Sequence, residues 1–203
     1  MRVPSSDPST ALVVVDFQND FADPSGGLAV AGGSAIVSAV NAAIEEAMAT
    51  SSFVVYTQDW HPEVTPHFAK DGGTWPVHCV AGTWGAEFYP ELLVAGPSVR
   101  KGANGEDGYS GFTMRDPVTT ETVPTELEAL LRERGVELVV VAGLATDYCV
   151  KATALDAVRL GFETTVLADA VAAVDLEAGD GERALEELAA AGVTVEGSGF
   201  MPE

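Results

Sequence analysis

Apolar residues along the chain follow two alternating patterns. Leu12-Val13-Val14-Val15 is a short apolar run, β-branched apart from its leucine, and predicts a strand buried on both faces. From Ser34 to Ala49, Ile36, Val37, Val40, Ile44, Ala47 and Met48 recur at helical spacing. Phe53-Val54-Val55-Tyr56 predicts a second strand and Val99 to Lys101 a short third. Thr125 to Arg134 reads as an amphipathic helix through Leu127, Leu130 and Leu131, ended by Gly135. Leu138-Val139-Val140-Val141-Ala142 is the clearest strand, followed by a helix from about Asp147 to Leu160 that Gly161 stops. Thr164 to Ala168 predicts a strand, Glu182 to Ala191 the last helix, and Val193 to Val195 a final strand. Strands alternating with helices predict an α/β fold whose parallel sheet is covered on both faces.

One stretch breaks the pattern. From about 58 to 97 there is little periodicity, five prolines and all three tryptophans, Trp60, Trp75 and Trp84. A loop that long inside a compact domain is usually functional or disordered, and its tryptophans favour the ordered, functional reading. With 203 residues and no internal repeat, the expectation is one domain carrying an insertion at about 58–97.

Charge narrows the partners. The chain has 31 acidic and 10 basic residues, a formal net charge of −21. Such a surface repels phosphate backbones and anionic lipids, so neither nucleic acid nor membrane is expected as a partner. No apolar run approaches the ~18 residues of a membrane helix. The first ten residues show no apolar core of a secretory leader, so the cytoplasm is the expected compartment. The two cysteines, Cys79 and Cys149, do not form a disulfide framework.

In doubly wound sheets, sites form beyond the C-terminal ends of the strands, and those positions here carry chemistry. Asp16 follows the first strand, Asp59-Trp60-His61 the second, Lys101 ends the third, and Thr146-Asp147-Tyr148-Cys149 follows the strand at 138–142. With Thr146 as N-cap, Cys149 falls in the first helical turn, where free amides and the macrodipole lower a thiol's pKa. A packed structural cysteine is the plainer alternative; Asp16 as proton acceptor and Lys101 as partner of the thiolate favour a nucleophile. All three histidines, His61, His67 and His78, lie within the aperiodic stretch, and Asp59 stands two residues before His61. On an extended segment, Asp-x-His points both side chains the same way, as a pair of ligands for a divalent ion. Such ligands suit zinc, iron or manganese. Three unrelated loop histidines are the alternative. Cys79 reads as a packed hydrophobe.

Asp16-Phe17-Gln18-Asn19-Asp20-Phe21 resembles the opening motif of the isochorismatase-like cysteine hydrolases, and Gly143-Leu144-Ala145-Thr146-Asp147-Tyr148-Cys149-Val150 their nucleophile segment. Lys101-Gly102 with Tyr109-Ser110-Gly111-Phe112 resembles their lysine segment. Asp59-Trp60-His61-Pro62, His67-Phe68 and Trp75-Pro76-Val77-His78-Cys79-Val80 are similar to the metal loop of the nicotinamidase (pyrazinamidase) branch. The resemblance spans about residue 10 to the C-terminus. It implies a three-layer α/β/α fold with a six-stranded parallel sheet in the order 3-2-1-4-5-6. It implies a catalytic triad of Asp16, Lys101 and Cys149, an oxyanion hole from the amides of Ala145 and Cys149, and a cis peptide between Leu144 and Ala145. Asp59, His61 and His67 are implied as ligands of one divalent ion, zinc first, with His78 or water completing the set. Phe21 and Trp75 match positions that sandwich a pyridine ring, with Tyr109 at the rim. The chain departs from the pattern at Asn104-Gly105-Glu106-Asp107-Gly108, acid- and glycine-rich where relatives often carry an aromatic, which leaves the place of Tyr109 open.

The implied activity is hydrolysis of nicotinamide to nicotinate and ammonia through a cysteine thioester, by a monomer or homo-oligomer. Pyrazinamide would be an analogue substrate. A related amidase acting on a carbamoyl or ureido substrate would share the triad without needing the metal loop. A non-catalytic metal-binding domain would not need an acid, a lysine and a thiol at three strand ends.

Overall fold

The computed structural model describes residues 9–197; the N-terminal eight residues, part of the segment read for a leader, lie outside them. Six strands form one parallel sheet: β1 (Thr10–Val15), β2 (Phe53–Asp59), β3 (Ser98–Lys101), β6 (Leu138–Leu144), β7 (Glu163–Ala172) and β8 (Thr194–Glu196). Their spatial order is β3-β2-β1-β6-β7-β8. Counted within the sheet alone, that is the order 3-2-1-4-5-6. A separate antiparallel ribbon pairs β4 (Thr113–Arg115) with β5 (Thr122–Pro124). Its strands are three residues long, too short to leave a periodic signal, and were not expected from the sequence. A short helix, α1 (Asn19–Ala22), follows β1.

Every residue of β1 is buried. The reason is that alternate side chains enter two cores. Leu12 and Val14 join Val40, Ile44 and Ala47 of helix α2 (Val37–Ala49) on one face. Ala11, Val13 and Val15 join Leu127 and Leu131 of α3 (Leu127–Glu133), Ala154 and Ala157 of α4 (Lys151–Arg159), and Leu188 of α5 (Asp180–Ala190) on the other. Helices on both faces of the sheet make three layers. No helix among the described residues is long and apolar enough to cross a membrane.

Three differences from the sequence reading shape the C-terminal edge of the sheet, where β6 and β7 also run further than expected, to Leu144 and Ala172. β2 continues past Tyr56 through Thr57, Gln58 and Asp59, all buried. Polar residues ended the apolar run, yet ladder pairing carries the strand on to join β3 with Asp59 opposite Lys101. The second is α1, a single turn too short to show a helical period. The third is the helix after β6, which opens as a π-helical turn, Thr146–Val150, before α4 begins. Its N-cap is Ala145, with no side-chain cap, which corrects the assignment of Thr146 to that role. The Ala145 carbonyl instead accepts the N–H groups of Tyr148 and Val150, the second of these being the wide bond of a π turn. Cys149 lies buried within that turn.

Candidate active site

Three strand ends converge beneath one pocket. Asp16, the residue after β1, is fully buried with φ of +44°, a left-handed conformation unusual outside glycine. Its N–H donates to the Thr57 carbonyl at 3.2 Å, and the Thr57 hydroxyl donates to Asp16 Oδ1 at 2.6 Å. Gly143, on the neighbouring strand β6, has φ of +114°; a Cβ there would lie 2.1 Å from the Val15 carbonyl oxygen. Only glycine lets β1 and β6 approach this closely. The peptide between Leu144 and Ala145 is cis.

Lys101 ends the edge strand β3, whose alternation buries Val99 and Lys101 and exposes Ser98 and Arg100. Its ammonium sits 2.9 Å from Asp16 Oδ2, contacts Asp59 Oδ1, and donates to Cys149 Sγ at 3.7 Å. A buried ammonium requires such anionic partners. Burial alone would discharge it, but the charges of Asp16 and Asp59 hold its pKa well above the usual lysine value. Burial pushes the Asp16 carboxyl up, opposed by the Lys101 charge and aided by Asp59. Burial also pushes the Cys149 thiol well up, with Lys101 opposing and the two carboxylates reinforcing. The expectation of a thiol depressed by the helix terminus therefore does not hold for this structure. Cys149 is 7% exposed and faces two anions against one cation, so the thiol keeps its proton until a base removes it.

Across the pocket, His61, His67 and His78 are all buried, with one ligand atom from each lying within 4.8 Å of the others. Their hydrogen bonds decide which nitrogens point inward. His78 Nδ1 lies 2.7 Å from the Pro76 carbonyl; a carbonyl only accepts, so Nδ1 carries the proton and Nε2 keeps its lone pair. His67 Nδ1 donates to Asp107 Oδ1 at 2.7 Å, with the same consequence. Both ring nitrogens of His61 are buried without a hydrogen-bond partner. Its ring packs over Gly102, where a Cβ would come within 2.7 Å. Asp59 Oδ2 lies 3.7 Å from His61 Nε2 and 3.8 Å from His78 Nε2, close to the ~3.4 Å between neighbouring ligands on a tetrahedral ion. Burial works against the Asp59 charge, but the Lys101 ammonium holds its carboxyl well below the usual range. Inward-facing lone pairs, an unsatisfied imidazole and an ionised carboxylate are the donor set a divalent cation requires, so these residues fit a metal ion.

The pocket between the two groups is lined by Phe21, Trp75, Tyr109, Ala145 and Cys149, together with Asp59, His67 and His78. The structure thus brings together every site residue singled out from the sequence: Asp16, Lys101 and Cys149 lie on one side, the three histidines on the other, Asp59 touches both groups, and the aromatics form the walls. Asp16, Lys101 and His61 lie behind the lining. Tyr109, left open by the unusual 104–108 segment, stands at the rim, 38% exposed, and its hydroxyl accepts from Trp75 Nε1 at 3.1 Å. Cys79 is packed among core residues, as read.

Four contributors were not foreseen from the sequence. Tyr148 completes an aromatic cluster, its ring 5.1 Å from Trp75 and 5.3 Å from Tyr109. Gln18 clamps the end of β2: its amide nitrogen donates to the Asp59 carbonyl at 2.7 Å, and its oxygen accepts the Asp59 N–H at 2.9 Å. Thr57 holds Asp16, and Asp107 holds His67. The signal for Thr57 was present: Thr57 and Asp59, two apart, extend one face of a strand whose apolar run had stopped.

The model of the isochorismatase domain family matches residues 10–198. A nicotinamidase/pyrazinamidase of Mycobacterium tuberculosis is 43% identical over 188 residues, 90% of this chain and 96% of that protein. The pyrazinamidase of Pyrococcus horikoshii, solved in complex with zinc, superimposes with a TM-score of 0.83 at 41% identity, covering 93% of this chain and 99% of the other. A protein of L. infantum, solved in complex with nicotinate, gives a TM-score of 0.85 at 36% identity, over 98% and 97% of the two chains.

Proposed function

We infer the activity from one premise: the chain belongs to the isochorismatase family. We propose that it is an amidohydrolase converting nicotinamide to nicotinate and ammonia, a step in nicotinamide salvage, with Cys149 as nucleophile. One observation carries the reading: a buried thiol–lysine–carboxylate group and a cluster of inward-facing histidines share one aromatic-walled pocket. Either group alone would suit many chemistries. Facing each other, they suit a flat ring bearing a carboxamide on one side and a lone pair on the other.

Asp16 accepts the thiol proton as Cys149 attacks the carboxamide carbon. Its raised pKa brings its basicity closer to that of the thiol, as efficient proton transfer requires. Lys101 stays charged and offsets the anion that develops on sulfur. The oxyanion that forms on the carboxamide oxygen as sulfur adds to carbon is assigned to the N–H groups of Ala145 and Cys149; each such donor is worth roughly 10²–10³ in rate. Asp16 returns the proton to the departing ammonia, leaving the acyl group on sulfur. Water, deprotonated by Asp16, then cleaves the thioester, releasing nicotinate and restoring the thiol. Phe21 and Trp75 flank the ring and Tyr109 covers its outer edge. Asp59, His61, His67 and His78 would hold one divalent ion, for which zinc is the first candidate. Bound there, such an ion would supply Lewis-acid chemistry toward a ring lone pair, and the aromatic walls would hold the ring in line with it.

Ammonia release tests the reading when nicotinamide and benzamide are compared, each before and after chelation and zinc return. The expected result is strong preference for nicotinamide, loss on chelation and recovery with zinc. Equal rates on both amides, or full activity in metal-free protein, would overturn it in favour of a metal-independent amidase.

A further inference from the structure

We propose that Asp107, braced by Arg115, is a positioning residue that sets the metal ligand His67 and the rim residue Tyr109 together, so that metal retention and the pocket's outer wall depend on one carboxylate. The inference rests on His67 serving as a ligand under the proposed function. Asp107 Oδ1 accepts two donors at once, His67 Nδ1 at 2.7 Å and the Gly108 N–H at 2.9 Å. Its other oxygen accepts Arg115 Nη2 at 2.9 Å, and the two residues also exchange main-chain hydrogen bonds, tying the segment to β4. Gly108 leads directly into Tyr109, whose hydroxyl meets Trp75. The acid-rich segment at 104–108 therefore has a definite purpose.

An imidazole whose Nδ1–H donates a hydrogen bond to a carboxylate presents Nε2 in a fixed tautomer and orientation and becomes the stronger electron-pair donor to a metal. Without Asp107, the His67 ring would be free to turn and the lone pair would no longer be aimed at its neighbours. The carboxylate also fixes the Gly108 amide, one residue from the rim. Removing it loosens the ligand and the aromatic wall in the same step.

The test uses the full chain stripped of metal. Zinc affinity is measured by competition with a chromogenic chelator, without substrate, alongside the melting temperature of the metal-free protein. Asp107→Ala should weaken zinc binding by about 10- to 100-fold, the usual effect of losing such an outer partner. Asp107→Asn, which keeps the acceptor without the charge, should fall between alanine and wild type. At saturating zinc, Asp107→Ala should also raise KM for nicotinamide. Tyr109→Phe, which removes only the rim hydroxyl, should raise KM and leave zinc affinity unchanged. Zinc affinity within threefold of wild type in both Asp107 variants would overturn the proposal, as would a lowered melting temperature with no loss of zinc affinity. If the alanine variant does not fold, the asparagine variant decides alone. Wild type that binds zinc but leaves nicotinamide intact would sink the activity reading without touching this one.

Discussion

The two halves of the site are built on opposite principles. Asp16 and Lys101 stand at the ends of β1 and β3 and Cys149 in the turn after β6, and ladder register fixes the strand ends beneath them: Asp59 faces Lys101, and Val15 faces Gly143. The histidines stand on a segment whose regular structure is limited to short 3-10 turns at Ala69–Asp71 and Trp84–Ala86 and isolated bridges such as His61 with Val80. There, single side-chain bonds replace the ladder: Pro76 on His78, Asp107 on His67, and Asp20 Oδ2 on the Cys79 N–H at 2.6 Å. A reactive group that needs a hidden charge is placed by the sheet, whereas a cluster that takes up an ion can be placed by a loop.

The sharpest way to separate the halves is to remove one and ask what survives. Cys149→Ala should abolish turnover while leaving metal content and folding intact. Measurement is by ammonia release and elemental analysis; activity within about tenfold of wild type, a barrier change of only ~1.4 kcal/mol, would contradict the nucleophile assignment. Asp16→Asn should lower kcat by about 10³ or more, because it removes both proton acceptance and proton return. A change confined to KM would reduce Asp16 to a binding role. His61→Ala should strip most of the metal and most nicotinamide hydrolysis, yet iodoacetamide should still label Cys149, and faster than the enclosed Cys79. Loss of thiol labelling along with the metal would show that the halves are not separable.

Smaller effects probe the joints. Gly143→Ala, placing a methyl 2.1 Å from the Val15 carbonyl at a positive φ, should destabilise the chain by more than ~1 kcal/mol in denaturant titration. An unchanged midpoint would show that β1 and β6 can separate freely there. Thr57→Val should lower kcat by about tenfold by unseating the Asp16 carboxyl, and should lower the melting temperature by about 3–6 °C, since a hydrogen bond to a charged group is worth at least ~1.5 kcal/mol. Unchanged kcat would show that the main-chain bonds alone hold Asp16.

The contrast also explains what could be read from the chain. Valine-rich runs announce themselves because burial on both sheet faces leaves no polar position, as at Leu12–Val15 and Leu138–Ala142. Strand ends then locate Asp16, Lys101 and Cys149 without any knowledge of the loops. The histidines stood out by clustering, not by periodicity. Thr146 was misplaced because a π-helical turn has no side-chain signature, and Ala145 caps it with its carbonyl alone. The thiol's electrostatics were misjudged for a different reason: helix position is local, but burial and the nearness of Asp16 and Asp59 are products of the assembled sheet. Asp107 lay in a segment recognisable only as a departure, and its partners, His67 and Arg115, are 40 and eight residues away.

The triad's separation along the chain has a consequence for synthesis. Lys101 meets Asp59 across 42 residues and Cys149 across 48, and Asp16 is held by a threonine 41 residues on. A chain emerging from the ribosome therefore exposes Cys149 only after both carboxylates and the lysine have already left the exit tunnel. The turn that carries it packs against β7 and α5, so that side stays open until those elements arrive. In the interval between those events this thiol is more open to oxidants than in the folded chain, where it is reached only through the pocket.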